Sequence, residues 1–270
     1  MSSGGEEMSF WDHLDVLRGG LIRIVAVLFV AMAGSFVAIP RIFDSFILAP
    51  ARSDFFLYRF IASLLGGKAG GWLTDPSFNV EIININVSTQ FMMHLEISFW
   101  AGALITFPYI VYEVWKFIKP ALFPHEEKNL SFAFLFGTVM FFIGCALGYC
   151  VVFPLTFRFL TEYNLSMTIE NRISLNSYMH NFLLMIFVMG VVFELPLLTW
   201  LLSRLGLIDR AWLRKYRKHA VVVLMILAAV ITPSGDPFTL MVVFLPLYLL
   251  FELGIILARK ETAAVENKEG

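Results

Sequence analysis

Six long runs of apolar residues limit the folds that are open to this chain. They lie at about residues 18–40, 89–118, 129–152, 175–205, 219–233 and 238–258. A transmembrane helix needs about 20 predominantly apolar residues, and 59% of the 270 residues are hydrophobic whereas only 15% are charged. A soluble domain usually carries about 25% charged residues. The sequence therefore predicts an all-α membrane protein with six transmembrane helices.

Residues that could carry chemistry are few and scattered. The net charge of -1 offers no basic surface to a nucleic acid. Cys145 and Cys150 lie in one apolar run, at a spacing that suits neither a metal site nor a pair on one helix face. The histidines fall on different segments, and the chain has no phosphate-binding loop and no nucleophile elbow. We therefore expect no enzyme activity, no metal, no cofactor and no nucleic-acid partner.

The fifth apolar run is short for a transmembrane helix. Only 13 residues separate His219 from Pro233, and they would span about 20 Å at ~1.5 Å per residue. The hydrocarbon core of a bilayer is about 30 Å thick. This helix must therefore recruit the turn at 212–218 or thin the bilayer locally.

Basic residues are distributed unequally between the two sides of the predicted bundle. With six spans, both termini share one side with the loops that follow the second and fourth helices. The opposite side holds six of the 20 basic residues: Arg41, Arg52, Arg59, Lys68, Arg158 and Arg172. Because basic loops stay in the cytoplasm, we predict cytoplasmic termini and a multi-pass protein of the inner (cytoplasmic) membrane. Residues 1–17 would form a cytoplasmic segment, 18–259 the transmembrane domain, and 260–270 a disordered cytoplasmic tail.

Two connecting segments have distinct compositions. The segment 41–88 is long and polar and contains several glycines and prolines, so much of it is predicted to be irregular. After Pro154, apolar Phe157 and Phe159 alternate with Arg158 and Glu162. This pattern predicts an amphipathic link with the charged residues on its polar face.

Glu194 lies well inside the fourth apolar run, two residues before Pro196. A charged group at membrane depth costs about 2.5–3.5 kcal/mol or more, so it normally faces protein or water. Glu194 could be a protonated acid that bonds the carbonyl left free by Pro196. Alternatively, it could be a polar contact for a partner helix or a wet cavity.

Acidic residues also occur on the basic side that we predict to be cytoplasmic. Asp12 and Asp15 precede the first run, and Glu126 and Glu127 precede the third. Acids suit the N-terminus of a helix, but at a membrane surface they could also hold a basic peptide. Two such acidic spots on one basic face favour the second interpretation.

These residues belong to motifs through which the chain resembles the TatC family, the multi-spanning subunit of the twin-arginine protein translocase. The resemblance covers about residues 11–259. The motifs are HLDVLR at 13–18, VWKFIKPALFPHE at 114–126, VFPL at 152–155, FELP at 193–196, ITPSGDPF at 231–238 and LPLYLLFELG at 245–254.

The resemblance implies a cupped bundle of six helices that receives the signal peptides of folded export substrates. It also implies export driven by the proton-motive force, TatA-like and TatB-like single-span partners, and self-association in a larger complex. The signal-peptide residues it implies are Glu126, Phe117, Glu127, Asp15, His13 and Arg18. A carboxylate can bind an arginine side chain through a bidentate fork that lysine cannot reproduce.

The resemblance also implies roles deeper in the membrane and on the opposite side. Glu194 matches the family's buried polar residue, which contacts partner helices. Pro50 and Asp236 match positions in the extracytoplasmic loops.

Three positions depart from the family pattern. The family usually carries glutamate where this chain has Val16, so Asp15 would have to substitute for it. The family usually has basic residues directly after the loop glutamate, whereas Glu127 follows here. Leu240 replaces a common glutamine, so a partner contact there would use Thr239.

A second function fits the intramembrane acid. A proton-coupled secondary transporter or channel could use Glu194 as its proton-binding ligand. Transporters more often show repeated halves or paired broken helices, and this sequence has no internal repeat. The receptor function is therefore favoured.

Overall fold

The computed structural model describes residues 10–64, 75, 77–118, 127–166, 168, 171–232 and 234–259, without the side chains of 10–14, 118 and 127–133. The chain divides into two compact units. The first unit is Met1–Pro40 with His94–Thr138, and the second is Arg41–Met93 with Val139–Gly270. The predicted tail at 260–270 lies outside the described residues.

Helices make up most of the described chain. They are α1 (Phe10–Ile42), α2 (Phe56–Leu64), α3 (Thr89–Ile118), α4 (Glu127–Leu147), α5 (Phe153–Glu162), α6 (Leu175–Val192), α7 (Leu195–Arg204), α8 (Arg210–Lys215), α9 (Arg217–Ile231) and α10 (Pro237–Leu257). Shorter helical segments are π-helical Phe43–Ile47, 3-10 Ala49–Ala51 and π-helical Gly148–Val152. Two short strands, β1 (Ile82–Ile83) and β2 (Ile173–Ser174), pair in parallel, with Ile82 opposite Ile173.

Five helical segments of the described chain are long and apolar enough to cross a membrane. They are Asp15–Ala51, Thr89–Phe117, Phe134–Glu162, Leu175–Arg204 and Pro237–Leu257. These segments coincide with five of the six predicted runs, and the multi-pass membrane character is confirmed. The first helix begins at Phe10, so part of the predicted N-terminal segment is helical.

The remaining predicted span falls on α9, which has only 15 residues. Such a helix is about 22 Å long, shorter than the hydrocarbon core. Only Tyr216 separates α9 from α8, and its backbone bonds both helices: Tyr216 N–H donates to Trp212 O, and Ala220 N–H to Tyr216 O. The six-span topology and the cytoplasmic termini stay predictions.

In the first unit, α1 and α3 pack closely and run antiparallel. A Cβ on Gly102 would lie 2.8 Å from the backbone nitrogen of Met32, so only glycine permits this approach. Nearer the start of α3, His94 Nε2 donates to the carbonyl oxygen of Phe36 at 2.8 Å. Small residues serve this purpose in membranes, where tight packing rather than hydrophobic burial drives association between helices.

In the second unit, α6 packs at glycines against α4 and the π-helical segment that follows it. A Cβ on Gly144 would lie 2.5 Å from the carbonyl oxygen of Met189, and one on Gly148 would lie 2.9 Å from Ile186 Cα. At the same interface a glycine of α6, Gly190, lies against Cys145 Sγ of α4. Cys145 is a buried free cysteine, consistent with packing rather than chemistry.

The fourth predicted run is not one continuous helix. It divides into α6 and α7, and Phe193 and Glu194 lie between them. Pro196 has no N–H to donate to the carbonyl of Val192, and its ring obstructs a continuous turn. The proline inside the run therefore ends one helix and begins another.

The prediction that Arg158 lies on the polar face of an amphipathic link is wrong. Arg158 is on α5, and its side chain is fully buried. The guanidinium lies 4.6 Å from the centre of the Tyr58 ring and 4.3 Å from that of Phe78. It donates to Glu162 Oε1 at 3.1 Å and to the carbonyl oxygen of Asp75 at 3.0 Å. Segment 41–88 folds over α5 and supplies these partners, which helix periodicity cannot reveal.

Candidate functional site

Three of the predicted peptide-binding residues have described side chains, and they lie toward the beginning of α1 or the end of α3. Asp15 and Arg18 are exposed on α1, and Phe117 is half-buried near the end of α3. His13 lies in α1 and Glu127 is the first residue of α4, but their side chains are not described. Glu126 lies outside the described residues.

An ion pair that the sequence analysis missed joins α1 to α3 close to this end. Arg23 Nε donates to Glu113 Oε1 at 2.8 Å, and Arg23 Nη2 donates to Glu113 Oε2 at 2.9 Å. Tyr109 donates its hydroxyl to Glu113 Oε1 at 2.7 Å. The Glu113 side chain is 6% exposed and that of Arg23 is 47% exposed. A largely buried carboxylate is thus held by a forked, charge-assisted pair of bonds.

A signal for this pair was present in the sequence. Arg23 lies in the first apolar run and Glu113 in the second, and each would be unfavourable in a membrane without a partner. Two opposite charges near the same predicted membrane surface favour pairing. Their partnership nevertheless depends on the rotation of both helices, since 90 residues separate them.

Glu194 lies at the break between α6 and α7. Its Oε1 is buried and has no hydrogen-bond partner among the residues that the structure describes. The carbonyl bond that the first interpretation of Glu194 requires is therefore not made by this oxygen. An unsatisfied buried polar atom costs about 1–3 kcal/mol, so this oxygen is left with an unmet need for a hydrogen bond.

Pro50, predicted to begin an extracytoplasmic loop, is buried in the Ala49–Ala51 turn of the second unit. Its carbonyl oxygen accepts a hydrogen bond from the Tyr58 hydroxyl at 3.0 Å. The same hydroxyl lies 3.1 Å from the carbonyl oxygen of Pro154. Pro50 therefore helps to fasten segment 41–88 to the start of α5.

Asp236 is the N-cap of α10. Its Oδ1 accepts a bond from the backbone N–H of Thr239 at 2.8 Å, and its Oδ2 accepts one from the Ser234 hydroxyl. Burial raises the pKa of Asp236, but the hydrogen bonds from Ser234 and Thr239 outweigh it, so the pKa lies below its usual value. Thr239 is fully buried. Its hydroxyl oxygen, like Glu194 Oε1, is buried and has no hydrogen-bond partner among the described residues.

Within the described ranges, no three residues of the types His, Cys, Asp and Glu are grouped so that they could hold a metal ion. The charged groups described above lie instead at helix ends and inside apolar segments. The fold and these groups define a multi-pass membrane protein whose polar contacts join helices.

Comparison with known proteins identifies the family. The family model of the Sec-independent protein translocase protein (TatC) matches residues 12–246. A protein of this name from Blattabacterium sp. subsp. Periplaneta americana is 34% identical over 260 residues, which cover 96% of this chain and 97% of the relative. Another from Deinococcus radiodurans is 32% identical over 250 residues, covering 92% and 85%.

Two solved structures of a twin-arginine translocase receptor TatC resemble the fold. One has a TM-score of 0.67 and 25% sequence identity, and covers 91% of this chain and 97% of its own. The other, determined in the detergent DDM, has a TM-score of 0.74 and 25% identity, and covers 92% and 99%. The chain belongs to the TatC family. It is a component of the Sec-independent protein translocase, and its role is protein transport.

Proposed function

We propose that this chain is the core receptor subunit of a twin-arginine translocase. It binds the twin-arginine signal peptides of folded proteins at the cytoplasmic face. It recruits TatA-like and TatB-like single-span subunits for export driven by the proton-motive force. The observation that carries this proposal is membership of the TatC family together with the α1–α3 pairing in the first unit.

The α1–α3 pairing supports one composite peptide site. Three contacts join Phe36 to His94, Met32 to Gly102 and Arg23 to Glu113. As the residue number falls along α1, it rises along α3. We extend this antiparallel register from Arg23 by one to two turns toward the N-terminus of α1. Arg18 and Asp15 would then lie level with the end of α3, just after Phe117.

The chemistry of the proposed site suits an arginine pair. Glu126 follows α3 by eight residues, so its carboxylate would stand near the same helix ends. A carboxylate accepts two parallel hydrogen bonds from one guanidinium, whereas a lysine ammonium provides only a point charge. Phe117 would offer an aromatic face to a guanidinium. Asp15, His13, Arg18 and Glu127 complete the proposed set.

Other residues would serve assembly and topology. Glu194 would receive a polar group from a partner helix, because its Oε1 is buried without a partner in the described chain. The chain would cross the inner membrane six times with both termini in the cytoplasm. Pro50 and Asp236 would then lie in extracytoplasmic loops, and several copies would associate in the active complex.

The proposal is tested by photocrosslinking a twin-arginine signal peptide to the membrane complex. Glu126→Ala should abolish crosslinking, because the arginine pair loses its bidentate acceptor. Glu81→Ala is the charge-matched control, since it removes an exposed acid that is not part of the proposed site and should retain the signal. A peptide with two lysines should crosslink poorly to the unmodified chain. Unchanged crosslinking and export by Glu126→Ala would exclude this residue from the site.

A further inference from the structure

The short helix α2 of the second unit carries an exposed apolar stripe. Phe56, Phe60 and Leu64 are 46%, 60% and 70% exposed. They recur every four residues, so they lie along one face of the helix. Tyr58, on the opposite face, is only 2% exposed. Both faces of α2 are thus largely apolar, and the part of the chain that the structure describes buries only one of them.

The hydroxyl of Tyr58 fixes the position of α2 beside the membrane-spanning segments. It lies 3.0 Å from the carbonyl oxygen of Pro50, at the end of the segment Asp15–Ala51. It also lies 3.1 Å from the carbonyl oxygen of Pro154 in the segment Phe134–Glu162. Pro154 precedes the end of that segment by about two helical turns. Helix α2 is therefore level with the ends of two spans and does not lie beyond them.

A series of aromatic contacts joins the surface of the first span to the stripe on α2. Phe46 belongs to the segment Asp15–Ala51 and is 48% exposed, as lipid-facing side chains are. Its ring stacks on that of Tyr149, with 4.3 Å between the ring centres. The Phe55 ring lies 5.7 Å from Tyr149 and 4.5 Å from Phe56. The exposed face of α2 thus continues the exposed apolar surface of a membrane-spanning segment.

Polar residues flank the stripe. Arg59 and Ser63 are exposed, and at helical spacing they lie along one side of it. The Ser63 hydroxyl donates to the carbonyl oxygen of Phe60 at 2.7 Å, so it is satisfied within the helix. An arginine side chain can lay its stem along an apolar surface while its charge reaches the head groups. An apolar face bordered by a cation is typical of helices that lie in the membrane interface.

We propose that α2 is an interfacial helix, which inserts Phe56, Phe60 and Leu64 among the lipids at the membrane surface. The partner of this surface is the bilayer itself, because the contacts of Tyr58 hold the stripe at the level where the spans end. Exposed apolar patches commonly mark such interaction surfaces, and lipid removes this one from water. Helix α2 would then attach segment 41–88 to the membrane. This inference does not depend on the proposed receptor function.

The test uses the full-length chain with Cys145→Ser and Cys150→Ser in phosphatidylcholine nanodiscs. A nitroxide spin label on Phe60→Cys reports collisions with oxygen, which concentrates in lipid, and with a water-soluble nickel chelate. The matched control is a label on Glu81→Cys, since Glu81 is an exposed residue of the same segment that lines an open polar cavity. We expect the ratio of oxygen to nickel accessibility to be several-fold higher at position 60 than at position 81.

A second label guards against a local disturbance of the helix. A nitroxide on Phe56→Cys, one turn earlier on the same face, should also give a ratio several-fold above that of the control. If only one of the two labels exceeds the control, the stripe as a whole does not lie in lipid and the proposal fails.

The other outcomes identify a different environment for the stripe. Equal ratios at positions 60 and 81 would show that it faces water and would overturn the proposal. Low accessibility to both reagents, with dipolar broadening between labels, would show that a second copy of the chain covers it. Low accessibility without broadening would show that it packs within its own chain. Either result would also overturn the proposal.

Discussion

At the scale of single residues, three acids in the apolar segments meet two kinds of environment. Glu113 accepts hydrogen bonds from Arg23 and Tyr109. Glu252 accepts them from Arg217 and Tyr248 in a similar arrangement. Glu194 has a buried oxygen with no partner among the described residues. The first two acids are satisfied within the chain, and the third is left to interact with something else.

This difference leads to a prediction for Glu194. Glu194→Gln keeps a polar group of the same shape, so we expect near-normal export. Glu194→Ala should impair assembly with the single-span partners, measured by their co-purification. Glu96→Ala, which removes an acid from a different apolar run, is the matched control.

The same pair of variants discriminates between the two functions. A proton-coupled transporter needs an acid that can titrate, so Glu194→Gln would abolish its activity. A polar contact with a partner helix would be retained in Glu194→Gln, because the amide of glutamine can still form a hydrogen bond. Full export by Glu194→Ala would refute the assembly role, and loss of export in Glu194→Gln alone would favour the transporter.

At the scale of secondary structure elements, the Arg23–Glu113 pair joins the first half of α1 to the last two turns of α3. If the peptide site is built from both helix ends, breaking this pair should disturb peptide binding without removing any proposed contact residue. We expect Glu113→Ala and Arg23→Ala each to reduce signal-peptide crosslinking several-fold and to lower the thermal midpoint of the purified protein.

A charge exchange tests whether the pair itself is responsible. The double variant Arg23→Glu, Glu113→Arg restores opposite charges across the same two helices and should recover much of the crosslinking. Tyr109→Phe removes one hydrogen bond from Glu113 and should have a smaller effect. If each single variant crosslinks like the unmodified protein, α1 is held to α3 by packing alone.

The elements also show where sequence patterns succeed and fail. The run at 89–118 coincides with α3, since apolar length is a local property. The run at 175–205 divides at Glu194, because Pro196 interrupts backbone hydrogen bonding. The local pattern predicts Arg158 on the polar face of an amphipathic link, yet Arg158 is buried against Tyr58 and Phe78. Tyr58 on α2 and Phe78 precede Arg158 by 100 and 80 residues, so no window of sequence around Arg158 reveals these contacts.

At the scale of the whole molecule, the six-span topology requires that α8 and α9 together cross the membrane. If they do, the loop before α8 and the loop after α9 lie on opposite sides. Leu207 and Ser234 are exposed in these two loops, which makes them suitable positions for labelling.

We predict that Ser234→Cys reacts with a membrane-impermeant thiol reagent in intact spheroplasts and that Leu207→Cys reacts only after permeabilisation. The background should carry Cys145→Ser and Cys150→Ser, so that no native thiol contributes. Labelling of both positions from the same side would show that α9 does not span the membrane, and it would exclude the six-span topology.

The sequence alone was sufficient to determine that this is a membrane protein, where five of its spans lie and to which family it belongs. Hydrophobic runs and short motifs are properties of contiguous residues. The tertiary structure decided which charges meet. Arg23 pairs with Glu113 and Arg217 with Glu252 across 90 and 35 residues, whereas Glu194 Oε1 has no partner in the described chain. Such pairing depends on helix rotation, close approach at glycines and the path of irregular segments. Each of these is set by packing between distant parts of the chain.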